Sequence, residues 1–149
     1  MKLENHIILA GEGSIAANTA VELEKRKLSF IRIRSRVEDV IPPGEGDIIG
    51  DPTDEAVQLK AGIRKAAMVI AAGDNDGDNA FITLLAKDLN PEVRVLAVAN
   101  AINAIRRLKL ARADLVFAPA AVGSRLLANL AEGDRISDEF RDLLESRDA

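Results

Sequence analysis

Short apolar runs alternate with segments of helical periodicity along almost the whole chain, and this alternation restricts the fold more than any other feature. The six runs cover residues 6–10, 29–33, 47–49, 68–72, 93–98 and 115–117. Most are almost continuously apolar, which is typical of strands that are covered on both faces of a parallel sheet. The order β-α-β-β-α-β-α-β-α-β-α predicts an α/β fold: a Rossmann-like, doubly wound parallel sheet of six strands flanked by helices, in a single domain.

The end of the chain differs in composition from the rest. Pro119 precedes a last apolar helical segment that ends near Gly133, and the residues after it are mostly charged. A length of 149 residues suits one domain with a proper core. We therefore predict the Rossmann-like domain over residues 1–133 and a charged tail or short helix over residues 134–149.

Composition argues against several kinds of site and partner. The chain has no cysteine, which excludes a disulfide framework, a thiol nucleophile and a thiolate metal site. Its net charge of −4 argues against a nucleic-acid partner, and no window reaches the ~18 apolar residues of a membrane span. The only histidine, His6, stands before the first run without a candidate partner, and we predict that it is an ordinary surface or edge residue. No nucleophile–base pair or metal cluster is evident, so we predict no catalytic residue, no metal site and no enzyme activity.

The first apolar run leads into the glycine turn GEGSIA (residues 11–16), which has the form G-x-G-x-x-A. In this pattern Gly11 permits a tight strand-to-helix turn, Gly13 lets the backbone approach a pyrophosphate, and Ala16 allows close packing of helix on strand. The first N–H groups of the helix then face an anion. The turn predicts nucleotide or anion binding; a packing turn without a ligand is the alternative.

The second apolar run ends in FIRIRSRVED (residues 30–39), with Arg34 where an acidic ribose-binding residue is expected. Arginine cannot accept a hydrogen bond from a 2′-hydroxyl, but it binds phosphate through two donors. We therefore favour NADP(H) or an adenine nucleotide such as ATP or AMP over NAD. The alternative is that Arg32, Arg34 and Arg36 pair at the surface with Glu38, Asp39 or the acidic tail.

The segment DNDGDN (residues 74–79) has the composition of a calcium loop but the wrong spacing. Its glycine is fourth where an EF-hand needs it sixth, and Leu85 replaces the final glutamate. We predict instead a helix N-terminus at the carboxyl edge of the fourth strand, where Asp74 and Asn75 are candidates to contact a ligand.

Four further patterns carry a resemblance to a known family: GDPTD (50–54), A-x-x-V-I-A-x-x-x-x-D-x-x-N (66–79), ADLVFAP (113–119) and GSRLLANL (123–130). Over about residues 5–133 the chain resembles the RCK domain, also called TrkA-N, a cytosolic regulator of potassium channels and potassium transport systems. It looks most similar to the C-terminal domains of prokaryotic voltage-gated-like potassium channels. The resemblance implies ligand sensing, homodimers or ring assemblies, a channel pore or transporter membrane subunit as partner, and a location on the cytoplasmic side of the membrane.

The resemblance also implies which residues line the nucleotide cleft. Four short segments would, in order, face the phosphates, lie at the ribose or terminal phosphate, border the base and close the cleft. The implied residues are Gly11, Gly13 and Ser14; Arg34 and Ser35; Asp51, Pro52 and Thr53; and Ala72, Gly73 and Asp74.

Three departures from the family pattern matter. Arg34 replaces the usual acid, and the places of the calcium ligands in calcium-gated members read Ala72, Val98 and Asn100, so no calcium site is expected. The second RCK subdomain is also missing, which leaves a channel fragment and a separate regulatory subunit as alternatives. The leading hypothesis is a nucleotide-sensing domain; the others are a ligand-free scaffold for channel assembly and a small NADP-dependent oxidoreductase.

Overall fold

The computed structural model describes residues 4–35 and 46–145. Its strands are β1 (Ile7–Ala10), β2 (Phe30–Arg34), β3 (Ile48–Ile49), β4 (Met68–Ala71), β5 (Arg94–Val98) and β6 (Leu115–Phe117). They form one parallel sheet in the order β3-β2-β1-β4-β5-β6. The predicted six-stranded, doubly wound, Rossmann-like sheet is confirmed.

Within the described residues, helices follow β1, β3, β4, β5 and β6. They are α1 (Ser14–Lys25), α2 (Glu55–Lys60), α3 (Asp76–Leu89), α4 (Ile105–Leu110), α5 (Pro119–Ala131) and α6 (Asp138–Leu144). Short 3-10 turns precede β4 and α4, at Ile63–Lys65 and Ile102–Ala104. None of the helices in the described ranges is both long enough and apolar enough to span a membrane.

β1 lies in the middle of the sheet and determines where a ligand would bind. Its Ile7 is aligned with Phe30 of β2 on one side and with Met68 of β4 on the other. From β1 the chain adds strands in one direction as far as β3, and then adds β4 to β6 in the other direction. The strand order therefore reverses between β1 and β4, and doubly wound sheets bind ligands outside the carboxyl ends of their strands at such a point.

The inner strands of the sheet are largely buried, as their apolar runs predicted, whereas residues of the edge strands β3 and β6 are exposed. Leu9, Ile33 and Val95 have no exposed side-chain surface, and α3 adds the buried Ile82 and Ala86. Each fully buried Leu, Ile or Val side chain contributes roughly 1.5–3 kcal/mol of hydrophobic free energy. The strand ends that carry the polar segments are thus held on a rigid base.

The ends of α3 follow local sequence signals. Asn75 is its N-cap, and the Asn75 side chain accepts a hydrogen bond from the N–H of Asp78 at 2.9 Å. The helix ends at Leu89, before Asn90 and Pro91, because proline disfavours helical backbone in the residue before it. The prediction that residues 74–79 contain a helix N-terminus is confirmed.

The chain forms two compact units, Met1–Ala118 and Pro119–Ala149. The first contains the whole sheet with α1 to α4, and the second contains α5 and α6. Ser137 caps α6 by accepting a hydrogen bond from the N–H of Phe140 at 3.2 Å. The domain boundary at residue 133 stays a prediction.

The prediction for His6 was wrong. Only 1% of the residue is exposed, and its Nε2 lies 2.7 Å from the carbonyl oxygen of Ala61, at the end of α2. The carbonyl at a helix end needs a donor, and the imidazole supplies one. The partner is 55 residues away, so the residues around His6 contain no signal for this contact.

Candidate functional site

The glycine turn connects β1 to α1 by an unusual backbone path. Gly11 and Gly13 have φ angles of 121° and 111°, which side chains other than glycine rarely adopt. A Cβ on Gly11 would lie 2.3 Å from the backbone nitrogen of Gly73, so this position also needs glycine for space. The N-cap residue of α1 is Gly13, which has no side chain with which to cap the helix. The first N–H groups of α1 are therefore suited to an anion.

A cavity of about 200 Å³ lies outside the carboxyl ends of β1, β2 and β4. Its lining residues are Gly11, Glu12, Ser35, Asp51, Pro52, Gly73, Asp74, Asn75, Asp78, Asn79 and Ile82. A smaller cavity of about 60 Å³ at the start of α1 adds Gly13, Ser14, Ile15, Ala72 and Asn100. Nine of the eleven residues implied by the resemblance line one cavity or the other; the exceptions are Arg34 and Thr53.

Arg34 does not line either cavity. Only 1% of the residue is exposed, and its Nη1 lies 3.4 Å from Oδ2 of Asp47. Arg32 is 5% exposed. The surface location assumed in the alternative is therefore wrong for Arg32 and Arg34, while Arg36 and the acidic partners Glu38 and Asp39 lie outside the described residues.

Thr53 lies outside both cavities and binds the side chain of Asp51. The hydroxyl and the backbone N–H of Thr53 both donate to Oδ1 of Asp51, at 2.7 and 2.9 Å. These two hydrogen bonds hold the pKa of Asp51 below its ordinary value of 3.8 and outweigh burial, which raises it. Asp51 is thus a fixed, ionised acceptor at the edge of the cavity.

Asn79 was missed as a site residue at the sequence level, although its side chain makes three hydrogen bonds in the cleft. It is fully buried, its Oδ1 accepts from the N–H of Gly73 at 2.9 Å, and its Nδ2 donates to the carbonyl of Gly73 at 2.8 Å. The same Nδ2 donates to the carbonyl of Val98 at 2.9 Å. One amide therefore joins the ends of β4 and β5 and holds Gly73 against Gly11.

Asp76 makes a second connection between these strand ends. Its carboxylate accepts from the N–H groups of Asn100 and Ala101, at 2.6 and 2.9 Å, and from Nδ2 of Asn100 at 3.0 Å. Burial raises the pKa of Asp76, but these hydrogen bonds and the nearby Arg107 outweigh it, so the pKa lies below 3.8. The ionised form of Asp76 stabilises the folded protein.

We expect Asp76→Asn to lower the free energy of unfolding at pH 7 by about 1–2 kcal/mol, because a neutral amide replaces a charged acceptor. A lowered pKa stabilises the fold fully above the ordinary value of 3.8, and this contribution disappears as pH falls through the folded-state pKa. Urea unfolding at several pH values should therefore show a difference between the two proteins that shrinks below pH 3.8. A difference that stays constant with pH would contradict this role.

The larger cavity is lined by four acidic side chains: Glu12, Asp51, Asp74 and Asp78. Oε1 of Glu12 accepts a hydrogen bond from the Ser35 hydroxyl at 2.9 Å. Among the lining residues that the structure describes there is no lysine or arginine. Residues 4–35 and 46–145 also contain no group of three or more His, Cys, Asp or Glu side chains arranged to hold a metal ion. The carboxylates can accept hydrogen bonds from hydroxyl and N–H donors, and the backbone N–H groups at the start of α1 can bind an anion.

Comparisons with known proteins agree with this fold. The family model of the TrkA-N domain matches residues 7–119. The voltage-gated potassium channel Kch of Escherichia coli (strain K12) is 35% identical over 148 residues, which cover 94% of this chain and 35% of Kch.

Two solved structures of the GsuK channel are similar as well. The structure bound to NAD has a TM-score of 0.77 and 31% identity, and the match covers 87% of this chain and 23% of that chain. The structure bound to ADP has a TM-score of 0.76 and 32% identity, and the match covers 87% and 34% of the two chains. The matches thus cover no more than 35% of Kch and of either GsuK chain.

Proposed function

Because this chain belongs to the TrkA-N (RCK) domain family, we propose that it is a ligand-sensing regulatory domain of a potassium channel or potassium transport system. The observation that carries the proposal is the uncapped start of α1, which meets a cavity at the point where the strand order reverses. Backbone N–H groups at such a position favour a phosphate. The NAD and ADP bound to the similar GsuK channel support a nucleotide as the ligand.

In this proposal the phosphates lie at the start of α1, against Gly11, Gly13 and Ser14. The base lies beside the Asp51–Thr53 turn, whose Asp51 is held ionised as an acceptor for N–H donors. The segment of Ala72, Gly73 and Asp74 closes the opposite side. Buried hydrogen bonds from Asn79 hold the backbone of Gly73, so this wall of the cleft is organised before a ligand binds.

The burial of Arg34 changes which ligands we propose. The preference for NADP(H) or an adenine nucleotide over NAD assumed that Arg34 reaches a phosphate. Inside the protein, however, Arg34 pairs with Asp47, and 1% of the residue is exposed. We therefore propose a ligand with an adenylate group, such as AMP, ADP, ATP or NAD(H).

The domain acts by binding rather than by catalysis in this proposal. The lining residues described for the cavity include no His, Lys or Tyr, and the low pKa of Asp51 makes that carboxyl a poor proton donor. Regulation requires that the ligand bind more tightly to one arrangement of a homodimer or ring than to another, since equal affinities shift nothing. The partner is the channel pore or the transporter's membrane subunit, and the domain lies on the cytoplasmic side of the membrane.

The test uses Ser14→Asp, which separates binding from folding. The negative charge of an aspartate at the start of α1 interacts favourably with the helix dipole. We therefore expect the variant without ligand to be as stable as the wild type or slightly more stable. The same carboxylate lies where the phosphate would bind, so we expect it to abolish the thermal shift from AMP, ADP or NAD. In the wild type, a ligand at about 100 times its Kd adds roughly 2.7 kcal/mol of stability, or several degrees in Tm.

Ser14→Ala is the matched control, and it should keep the nucleotide shift because backbone groups provide the site. No shift from any nucleotide in the wild type would favour the ligand-free scaffold. Equal shifts in the wild type and Ser14→Asp would place the nucleotide elsewhere. Oxidation of NADPH with a carbonyl substrate would instead indicate the oxidoreductase.

A further inference from the structure

An acidic side chain of the glycine turn, that of Glu12, reaches the residue that follows β2. Glu12 lies between Gly11 and Gly13, and its Oε1 accepts a hydrogen bond from the hydroxyl of Ser35 at 2.9 Å. Ser35 directly follows Arg34, the last residue of β2. A carboxylate thus stands beside the carboxyl end of β2. In dinucleotide-binding folds, that is where an acidic side chain binds the hydroxyls of the adenosine ribose.

We propose that Glu12 reads the ribose in this cleft and selects ligands with a free 2′-hydroxyl over ligands with a 2′-phosphate. This assignment rests on the proposed nucleotide function. Arg34 stands at the position in the sequence where the ribose-binding acid is expected. In this proposal Glu12 takes over that role, because its carboxylate lies beside the end of β2 in space. The carboxylate accepts hydrogen bonds from ribose hydroxyls, and Ser35, which is exposed and donates to it, keeps it directed toward the cavity.

The negative charge of the cavity disfavours ligands that carry a 2′-phosphate. A 2′-phosphate would bring its negative charge to within a few ångströms of Glu12, in a cavity that Asp51, Asp74 and Asp78 also line. Like charges at such short range repel strongly, and repulsion of the wrong ligand is a common basis of specificity. The guanidinium of Arg34 already pairs with Asp47 inside the protein, so a 2′-phosphate would have to break that pair to reach it.

Glu12 and Ser35 also hold the glycine turn to the end of β2, and the test must distinguish this structural contact from ligand selection. The ratio of two affinities does so, because a loosened turn weakens both ligands together. We would titrate the full chain by calorimetry with NAD and NADP, and with the smaller pair AMP and adenosine 2′,5′-bisphosphate. In the wild type we expect the ligand without the 2′-phosphate to bind at least about tenfold more tightly in each pair.

Glu12→Gln keeps the size of the side chain and removes its charge. We expect it to reduce the ratio to about threefold or less, chiefly by strengthening the ligands that carry a 2′-phosphate. Glu12→Asp retains the charge and should retain the preference. The matched control is Glu22→Gln on the exposed face of α1, where Glu22 pairs with Arg26 at 3.7 Å; this variant should leave the ratio unchanged.

Three results would overturn the assignment. In the first, NADP binds the wild type as tightly as NAD, which refutes the role of Glu12 but leaves nucleotide binding intact. In the second, Glu12→Gln binds nucleotides with the wild-type ratio, so that the contact with Ser35 is only structural. In the third, no nucleotide binds at all, and the assignment falls together with the proposed function. If Glu12→Gln does not fold, Glu12→Ala removes the charge instead, and its ratio against that of the wild type decides the outcome.

Discussion

Gly11→Ala should unfold with a free energy about 3–5 kcal/mol lower than that of the wild type, as measured by urea denaturation. The added Cβ would lie 2.3 Å from the nitrogen and 2.5 Å from the Cα of Gly73. Both are backbone atoms, and they cannot rotate away as the end of a side chain can. The φ angle of 121° adds strain, because alanine rarely adopts this conformation.

Gly123→Ala is the matched control for this substitution. Gly123 lies within α5, its φ is not in the left-handed region, and apart from its chain neighbours and the adjacent helix backbone no described atom lies within 4 Å of an added Cβ. Alanine should therefore stabilise the helix by roughly 0.5–1 kcal/mol. A Gly11→Ala protein with the wild-type unfolding midpoint would show that the turns after β1 and β4 do not approach each other as closely as Gly11 and Gly73 do in this structure.

Asn79→Asp should also cost about 3–5 kcal/mol at pH 7, although it changes the shape of the side chain very little. Asn79 is fully buried, and its Nδ2 donates to the carbonyls of Gly73 and Val98. A carboxylate cannot donate these bonds, and it would place a charge beside two carbonyl oxygens away from water. Because Gly73 would lose its support, we also expect the thermal shift from nucleotides to disappear.

Asn18→Asp is the control for the chemical change itself. Asn18 is exposed on α1, where the same substitution should alter the unfolding free energy by no more than about 0.5 kcal/mol. Urea denaturation of the two variants and the wild type gives the comparison. Equal stability of Asn79→Asp and Asn18→Asp would mean that the hydrogen bonds of Asn79 contribute nothing to the fold.

The sheet was predictable because strands buried on both faces need apolar residues at nearly every position. Residues 6–10 and 68–72 contain β1 and β4 almost to the residue. The position of the cleft follows from the same information, since the strand order places the polar segments after β1 and β4 at one edge. The glycine turn was recognisable because its local backbone path requires glycine at Gly11 and Gly13.

The side chains that complete the cleft were harder to predict, because their partners are distant in the sequence. Asn79 depends on Val98, which lies on a different strand, and His6 depends on the carbonyl of Ala61. Glu12 stands at the variable position of the G-x-G pattern, so the pattern assigns it no role. The surroundings of Arg34 depend on the pairing of β2 with β3, which brings Asp47 beside it.

The most direct test of the central claim is a calorimetric titration of the wild-type chain with ADP. We expect saturable heat with one ADP per chain, and competition when AMP or NAD is added. The absence of saturable heat with ADP, AMP and NAD would contradict a nucleotide-sensing role. The glycine turn would then serve only to pack α1 against β1 and β4.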